Sequence, residues 1–395
     1  MTYANGRVCF DADSHIMELP DFLRKFADAD LRDELPEVSY SASLVTDEEV
    51  AEIVANGSRH SEAHVTELLA MGDQLIGRSK EIQALGAFDP SQRSVAMDML
   101  GFEKQLVFAT HSVAMPFSAS SKLDPRLRYG AARAHNRHMA AFCADDPRLM
   151  GVAVVPLDDP VLARAELEWS IANGLEAAWI PHRPCGERAP SHVDLEPFWA
   201  MLAESGTPFL LHVGGSPLQL HKAWTNTGRA PVKDWMGGGE NVRAKDAAVL
   251  HQGPETFVSM LVMDGVLERF PALRGAVVEL GAGWVPSMLQ RLDWVASTYG
   301  RVDHNLASFT RTPSEQLTQQ LAFTPFVFED VGALIDQSND DLYLFSSDYP
   351  HTEGGRDPIK RFESTLHGRS PDVRTKFYAD NFLRVFPTAQ TTRVA

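Results

Sequence analysis

Residues 151–181 read GVAVVPLDDPVLARAELEWSIANGLEAAWIP. A short apolar run, Gly151 to Pro156, gives way to an amphipathic stretch, Pro160 to Ala172, and a second apolar run, Glu176 to Pro181, follows. That order reads as strand, helix, strand. The same alternation extends outward in both directions. Further candidate strands are Val8 to Asp13, Gln105 to Ala109, Pro208 to Val213, Ala276 to Leu280, Gln320 to Phe323 and Leu342 to Ser346. Helical patterns lie between them, at Arg126 to Cys143, Leu195 to Ser205, Glu255 to Arg269 and Val285 to Ser297. Eight strands alternating with helices predict an α/β chain folded as a (β/α)8 TIM barrel. An open doubly wound sheet shares the alternation. The first strand, however, is followed by no GxGxxG turn, and the chain has no P-loop.

Two connections are too long for plain loops: residues 19–104 after the first strand, and residues 214–254 after the fifth, which are rich in Gly, Trp and polar residues. Both leave strand C-termini, the face on which barrels build their sites. They read as insertions in a single domain spanning 1–395. Trp224, Trp235 and Met236 in the second insertion suggest a lid over an apolar or aromatic substrate.

Charge narrows the partners. The 36 Lys and Arg against 53 Asp and Glu leave a formal charge of -17, and the charges are scattered. Such a field disfavours nucleic acid and anionic membrane surfaces. Cys9, Cys143 and Cys185 lie far apart and form no CxxC pair, which argues against a disulfide framework or a zinc ribbon. The first fifteen residues carry no apolar signal core, and no run approaches the roughly 20 apolar residues of a membrane span. A soluble, cytoplasmic protein with a small-molecule substrate is expected. Homo-oligomerisation is left open.

Polar residues gather where the strands end. The first strand runs Phe10-Asp11-Ala12-Asp13-Ser14-His15, so Asp13 and His15, two apart, project the same way if the strand is regular. The fifth strand, Phe209-Leu210-Leu211-His212, ends in an imidazole before Gly214 and Gly215. The sixth carries Glu279 where apolar residues are the rule, followed by Leu280-Gly281-Ala282-Gly283-Trp284. The last runs Leu344-Phe345-Ser346-Ser347-Asp348 and on to His351. A buried carboxylate requires a metal or a charged partner, so Glu279 either faces a metal or pairs with an arginine such as Arg183 or Arg291. His182 and Arg183 follow the fourth strand. His182 is a candidate extra ligand or catalytic group, and Arg183 a fork for a substrate carboxylate. His111, Trp284 and His351 are candidate substrate contacts. Glu18 is either a site contact or a helix-starting acid. His135 and His138 are placed on an outer helix face, and Asn381 is placed to pin the last helix.

The order of these pieces resembles the amidohydrolase superfamily, and more narrowly the branch of aminocarboxymuconate semialdehyde decarboxylase and the resorcylate decarboxylases. The resemblance rests on Asp13-Ser14-His15-Ile16-Met17-Glu18, His135-Asn136-Arg137 running into Asp146-Pro147-Arg148-Leu149, Phe345 to His351, and Asn381-Phe382-Leu383-Arg384-Val385-Phe386. It implies Asp13, His15, His212 and Asp348 as metal ligands, with Asp348 doubling as a catalytic base. The chain departs from the family pattern at Asp13, where the superfamily usually has His, and at Glu279, where the decarboxylases carry a catalytic His. Glu279 is therefore a candidate ligand or general acid/base in that residue's place. The implied activity is that of a metal-dependent hydrolase or non-oxidative decarboxylase acting on a small aromatic or carboxylate-bearing compound. The implied cofactor is a divalent transition metal, with zinc the default and manganese or iron suited to the oxygen-rich set. If Glu279 and His182 both join, the donors suffice for two irons and an oxygenase becomes the alternative. A non-catalytic binding protein is the other.

Overall fold

The computed structural model describes residues 1–40, 43–216, 220, 222–230 and 242–392. Strand one is built in two pieces, β1 (Phe10–Asp11) and β2 (His15–Ile16), both parallel to β3 (Lys104–Ala109). From β3 the parallel order continues through β4 (Leu149–Val154), β5 (Ala177–Trp179), β6 (Phe209–His212) and β7 (Gly275–Val278) to β8 (Leu321–Phe323). The stretch expected as the last strand, Leu342 to Ser346, joins by a bridge from Tyr343 to Phe323 and by Ala12 N donating to the Phe345 carbonyl. Those bonds bring the sheet round from β8 to strand one. With helices between successive strands, this is the architecture of the (β/α)8 barrel.

Period-two alternation sorts the strand residues. Leu106, Phe108, Met150, Val152, Leu210, Ala276 and Val278 pack together in the interior, whereas Val107, Ala109, Ala153, Leu211 and Val277 pack outward with the helices. His212 shares the parity of Leu210 and therefore closes the inward row.

Strand one breaks this rule. Phe10 pairs with Lys104, an offset of 94, but His15 pairs with Phe108, an offset of 93. One extra residue is accommodated between the two pieces, and the parity inverts there. Phe10 and Ala12 belong to the interior cluster. A regular strand would then send Asp13 and His15 outward. The register shift returns them to the interior.

The outward side of this break is bonded to the shell. Asp11 accepts from Gln105 Nε2 (2.6 Å), Ser347 N (2.7 Å) and Ser347 Oγ (2.6 Å). Arg93, fully buried on the helix Pro90–Leu100, donates to the His15 carbonyl (2.9 Å), Ser14 Oγ (2.7 Å) and Gln105 Oε1 (3.1 Å). That helix lies within the segment read as a long insertion, which also carries the helices Asp47–Ala55 and Glu62–Leu69.

Glu18 is buried and fixes the end of β3. Its carboxylate accepts from the backbone N–H groups of Thr110 (3.1 Å), His111 (2.9 Å) and Ser112 (2.8 Å). Burial alone would raise its pKa, but His111 and these donors hold it below the usual carboxylate range. Glu18→Ala should destabilise the fold by about 3 kcal/mol or more in urea titration, because it orphans several buried N–H groups. The folded pKa is depressed. Glu18 therefore contributes fully above its unfolded value of about 4.3, and the contribution is lost as pH falls through the lower folded value. An unchanged urea midpoint at neutral pH would show that water replaces the carboxylate.

His135 and His138 are not outer-face residues. His135 is fully buried, and His138 stacks on Phe22 at 3.9 Å. The neighbouring Asn136 bonds both the N–H and the carbonyl of Val154, tying the helix Pro125–Cys143 to β4. Asn381 Nδ2 donates to the Asp340 (2.8 Å) and Tyr343 (2.9 Å) carbonyls and so holds the final helix to the barrel.

Candidate metal centre

Six side chains meet at the C-terminal mouth. The ligand atoms of Asp13, His15, His212 and Glu279 lie within 4.8 Å of one another, and those of His15, Asp348 and His351 form a second such group. Asp13 Oδ1 sits between two imidazoles, 3.2 Å from His15 Nε2 and 3.3 Å from His212 Nε2. Glu279 Oε2 is 3.4 Å from His212 Nε2, and Asp348 Oδ1 is 3.6 Å from His15 Nε2 and 3.0 Å from His351 Nδ1.

The outer ring nitrogens decide what the inner ones do. His212 Nδ1 donates to the Val213 carbonyl (2.8 Å), and His15 Nδ1 is 3.3 Å from the Ala109 carbonyl. Thr110 Oγ1 donates to the Ile16 carbonyl (2.8 Å), so its lone pairs accept from His351 Nε2 (2.9 Å). Each imidazole thus gives its N–H to the protein and turns a lone pair toward the carboxylates. Burial pushes the His15 and His351 pKa values down to about 4, which holds both rings neutral at neutral pH. His15 Nε2, Asp348 Oδ1 and His351 Nδ1 are buried and make no hydrogen bond despite their proximity. Lone pairs facing carboxylate oxygens are satisfied by a positive charge placed among them, a proton or a metal ion. The donor set therefore fits a divalent metal.

Two of the carboxylates sit on left-handed backbone. Glu279 has φ 52° and Asp348 φ 54°. For residues with a side chain this conformation costs on the order of 1–2 kcal/mol and is concentrated at functional sites. It also has a geometric consequence for Glu279. Its parity after Val278 would carry the side chain to the outer face, and the left-handed turn brings it back beside His212. Thr324 Oγ1 accepts from Glu279 N (2.8 Å). Glu329 accepts from Ala282 N, Gly283 N and Phe326 N at 2.9, 2.6 and 2.7 Å, which lashes the loop after β7 to the loop after β8. Nothing in the local sequence around Glu329 signals this role.

Beside the donors lies a cavity of about 390 Å³ bordered by Asp13, Glu279 and Asp348 and walled by Leu44, Val213, Leu250 and Phe326. Its size suits a single substituted aromatic ring. Trp224 is exposed in the described residues, while Trp235 and Met236 lie outside them.

The remaining candidates are placed differently. Arg183 is held by Asp158 (3.0 and 2.9 Å) and by the Ser118 carbonyl (3.1 Å), which engages both of its terminal nitrogens. Arg291 pairs with Glu255. Trp284 donates from its indole to the Leu280 and Gly281 carbonyls and packs edge-on against Phe323, supporting the Glu279 loop rather than bordering the cavity. His182 is buried close to Gly215 and Gly253 and belongs to neither donor group. His111 meets Tyr40 edge-on, and its Nε2 is buried without a hydrogen bond. His351, expected to touch substrate, stands among the donors.

Residues 10–388 match the model of the family described as Amidohydrolase. Over 174 residues the chain is 29% identical to the decarboxylase orsB of Emericella nidulans, a match covering 43% of this chain and 50% of that protein, so it spans about half of that relative's length. It is 26% identical over 271 residues to the gamma-resorcylate decarboxylase of a Polaromonas species, covering 64% of this chain and 74% of that one. A 5-carboxyvanillate decarboxylase from Novosphingobium aromaticivorans, solved with manganese and 3-methoxy-4-hydroxy-5-nitrobenzoic acid, superposes with a TM-score of 0.62 at 15% identity, over 97% of each chain.

Proposed function

Because the chain belongs to the amidohydrolase family, we propose that it is a metal-dependent, non-oxidative decarboxylase of a hydroxylated aromatic carboxylate. The observation that carries this reading is the set of three tautomer-fixed imidazoles turned toward three carboxylates beside a ring-sized apolar cavity. Asp13, His15 and His212, with Glu279 or Asp348, would hold the ion. The even mixture of carboxylate and imidazole suits manganese, the ion in the carboxyvanillate decarboxylase, as well as it suits zinc. When bound, a divalent ion polarises substrate oxygens as a Lewis acid.

The chain's own residues supply the rest. Leu44, Val213, Leu250 and Phe326 offer an apolar wall against which the ring packs. Glu279 borders both the donors and the cavity, the place from which a proton can be delivered to the ring carbon bearing the carboxylate. That carbon–carboxylate bond then breaks, its electron pair stays with the ring, and CO2 leaves. Glu279 thus takes the general acid/base role at the end of the strand where the decarboxylases resembled by this sequence carry His.

The test is incubation of manganese-loaded protein with 2,6-dihydroxybenzoate, 5-carboxyvanillate and related hydroxybenzoates in D2O. Loss of CO2 with one deuterium placed on the vacated ring carbon is expected for at least one compound. Absence of CO2 release across the panel, with ester or amide hydrolysis by the same preparation, would replace this reading with a hydrolase.

A further inference from the structure

Resting on the decarboxylase reading, we propose that Trp179 and His182 form a polar subsite around Gly215 that takes a further oxygen substituent of the substrate's ring, away from the carboxylate and imidazole donors. Trp179 ends the inward row of β5 and is 1% exposed, yet its indole nitrogen makes no hydrogen bond. His182, three residues on, is 6% exposed, and its Nδ1 is likewise unbonded. The two nitrogens converge. A β-carbon at Gly215 would lie 2.8 Å from Trp179 Nε1 and 3.3 Å from His182 Nδ1. A β-carbon at Gly253 would meet the His182 ring at 2.9 Å, so two glycines make the room in which the imidazole stands. Ser216 Oγ, next along the chain, is buried without a hydrogen bond as well. Buried polar atoms in such a group are expected to have a partner.

An indole N–H only donates, so the occupant must accept there. Phe108, Phe117 and His212 pack against the indole with ring centroids 5.6, 5.3 and 4.9 Å away, which fixes the direction of that N–H and sets it beside the donor cluster. Val213 walls the cavity, and the two residues after it are glycines, so neither puts a side chain between that wall and the indole nitrogen. Among the described residues, the side chains bordering the cavity carry carboxylates and hydroxyls but no N–H donor. A ring oxygen turned into the cavity meets chiefly carboxylates, whereas one turned toward Gly215 meets donors. Burial, aided by His212, lowers the His182 pKa to about 3, and Arg183 beside it is engaged by Asp158. The subsite is therefore uncharged, and it suits a hydroxyl or methoxyl oxygen rather than a second carboxylate.

The experiment compares 2-hydroxybenzoate with 2,3-, 2,4- and 2,5-dihydroxybenzoate on the manganese-loaded full chain. Dissociation constants are read by isothermal titration calorimetry, or KM where a compound is turned over. The parent should bind at least one dihydroxybenzoate about tenfold or more tightly than 2-hydroxybenzoate, the scale of one hydrogen bond. Trp179→Phe keeps an aromatic ring and removes the N–H, and in it that ratio should fall to about one. A merely structural role would weaken all four compounds alike and keep the ratio. A parent ratio near one across the panel, or a ratio kept in the folded variant, overturns the subsite and leaves these nitrogens to water alone. His182→Ala reads the same ratio should Trp179→Phe fail to fold. A ratio present and lost as expected, without CO2 release from any compound, overturns the decarboxylase and leaves the subsite standing; CO2 release without a ratio does the reverse.

Discussion

Turnover by Glu279→Gln is expected to fall about 10²- to 10⁴-fold, the usual cost of a lost general acid/base. The carboxamide keeps the shape and an oxygen donor but carries no transferable proton. The backbone that places it is independent of the substituted atom: Glu279 N still donates to Thr324 Oγ1, and the loop remains tied by Glu329. Bound metal should be counted on the same preparation. A normal metal content with the expected rate loss assigns the residue to proton transfer, and a parallel loss of both assigns it first to the ion. Parent-like turnover with normal metal would make Glu279 structural and move the chemistry to Asp348, His182 or His351.

His212→Ala should cost more than 100-fold in metal affinity. That exceeds the 10- to 100-fold associated with residues that only orient a ligand. His212 Nε2 lies within 3.4 Å of both Asp13 and Glu279, so its removal leaves two carboxylates facing each other without the donor between them. The fold should survive, because the interior row below it, Leu210 with Phe108 and Ala276, is untouched. Equilibrium dialysis against manganese, with far-ultraviolet circular dichroism on the same sample, reads both quantities. Full metal retention in a folded variant would remove His212 from the centre.

Regular periodicity carries its information in the sequence. Apolar residues two apart mark the inward faces of β3 to β7, and a polar residue ending such a run, as His212 ends Phe209-Leu210-Leu211, lies on the rim because the strand reaches it without interruption. The eightfold alternation, and with it the barrel and the mouth where donors gather, follows from that pattern alone. The net charge and the strand-end positions of Asp13, His15, Glu279 and Asp348 were equally legible.

Which way those side chains point was settled only by contacts between distant segments. Asp13 and His15 face inward because a register shift of one residue separates β1 from β2, and Asp11 bonding to Ser347 and Arg93 bonding to Ser14 hold that break in place. Glu279 faces inward through a left-handed turn tied by Thr324 from the next strand. His351 turns its Nδ1 toward Asp348 because Thr110, 241 residues away, holds its Nε2, and Arg183 is engaged by Asp158. A one-residue slip or a positive φ inverts every face that alternation assigns, and each is stabilised by partners remote in the chain. The sequence by itself therefore determined the scaffold and the rim, and the tertiary structure decided the aim of each candidate ligand.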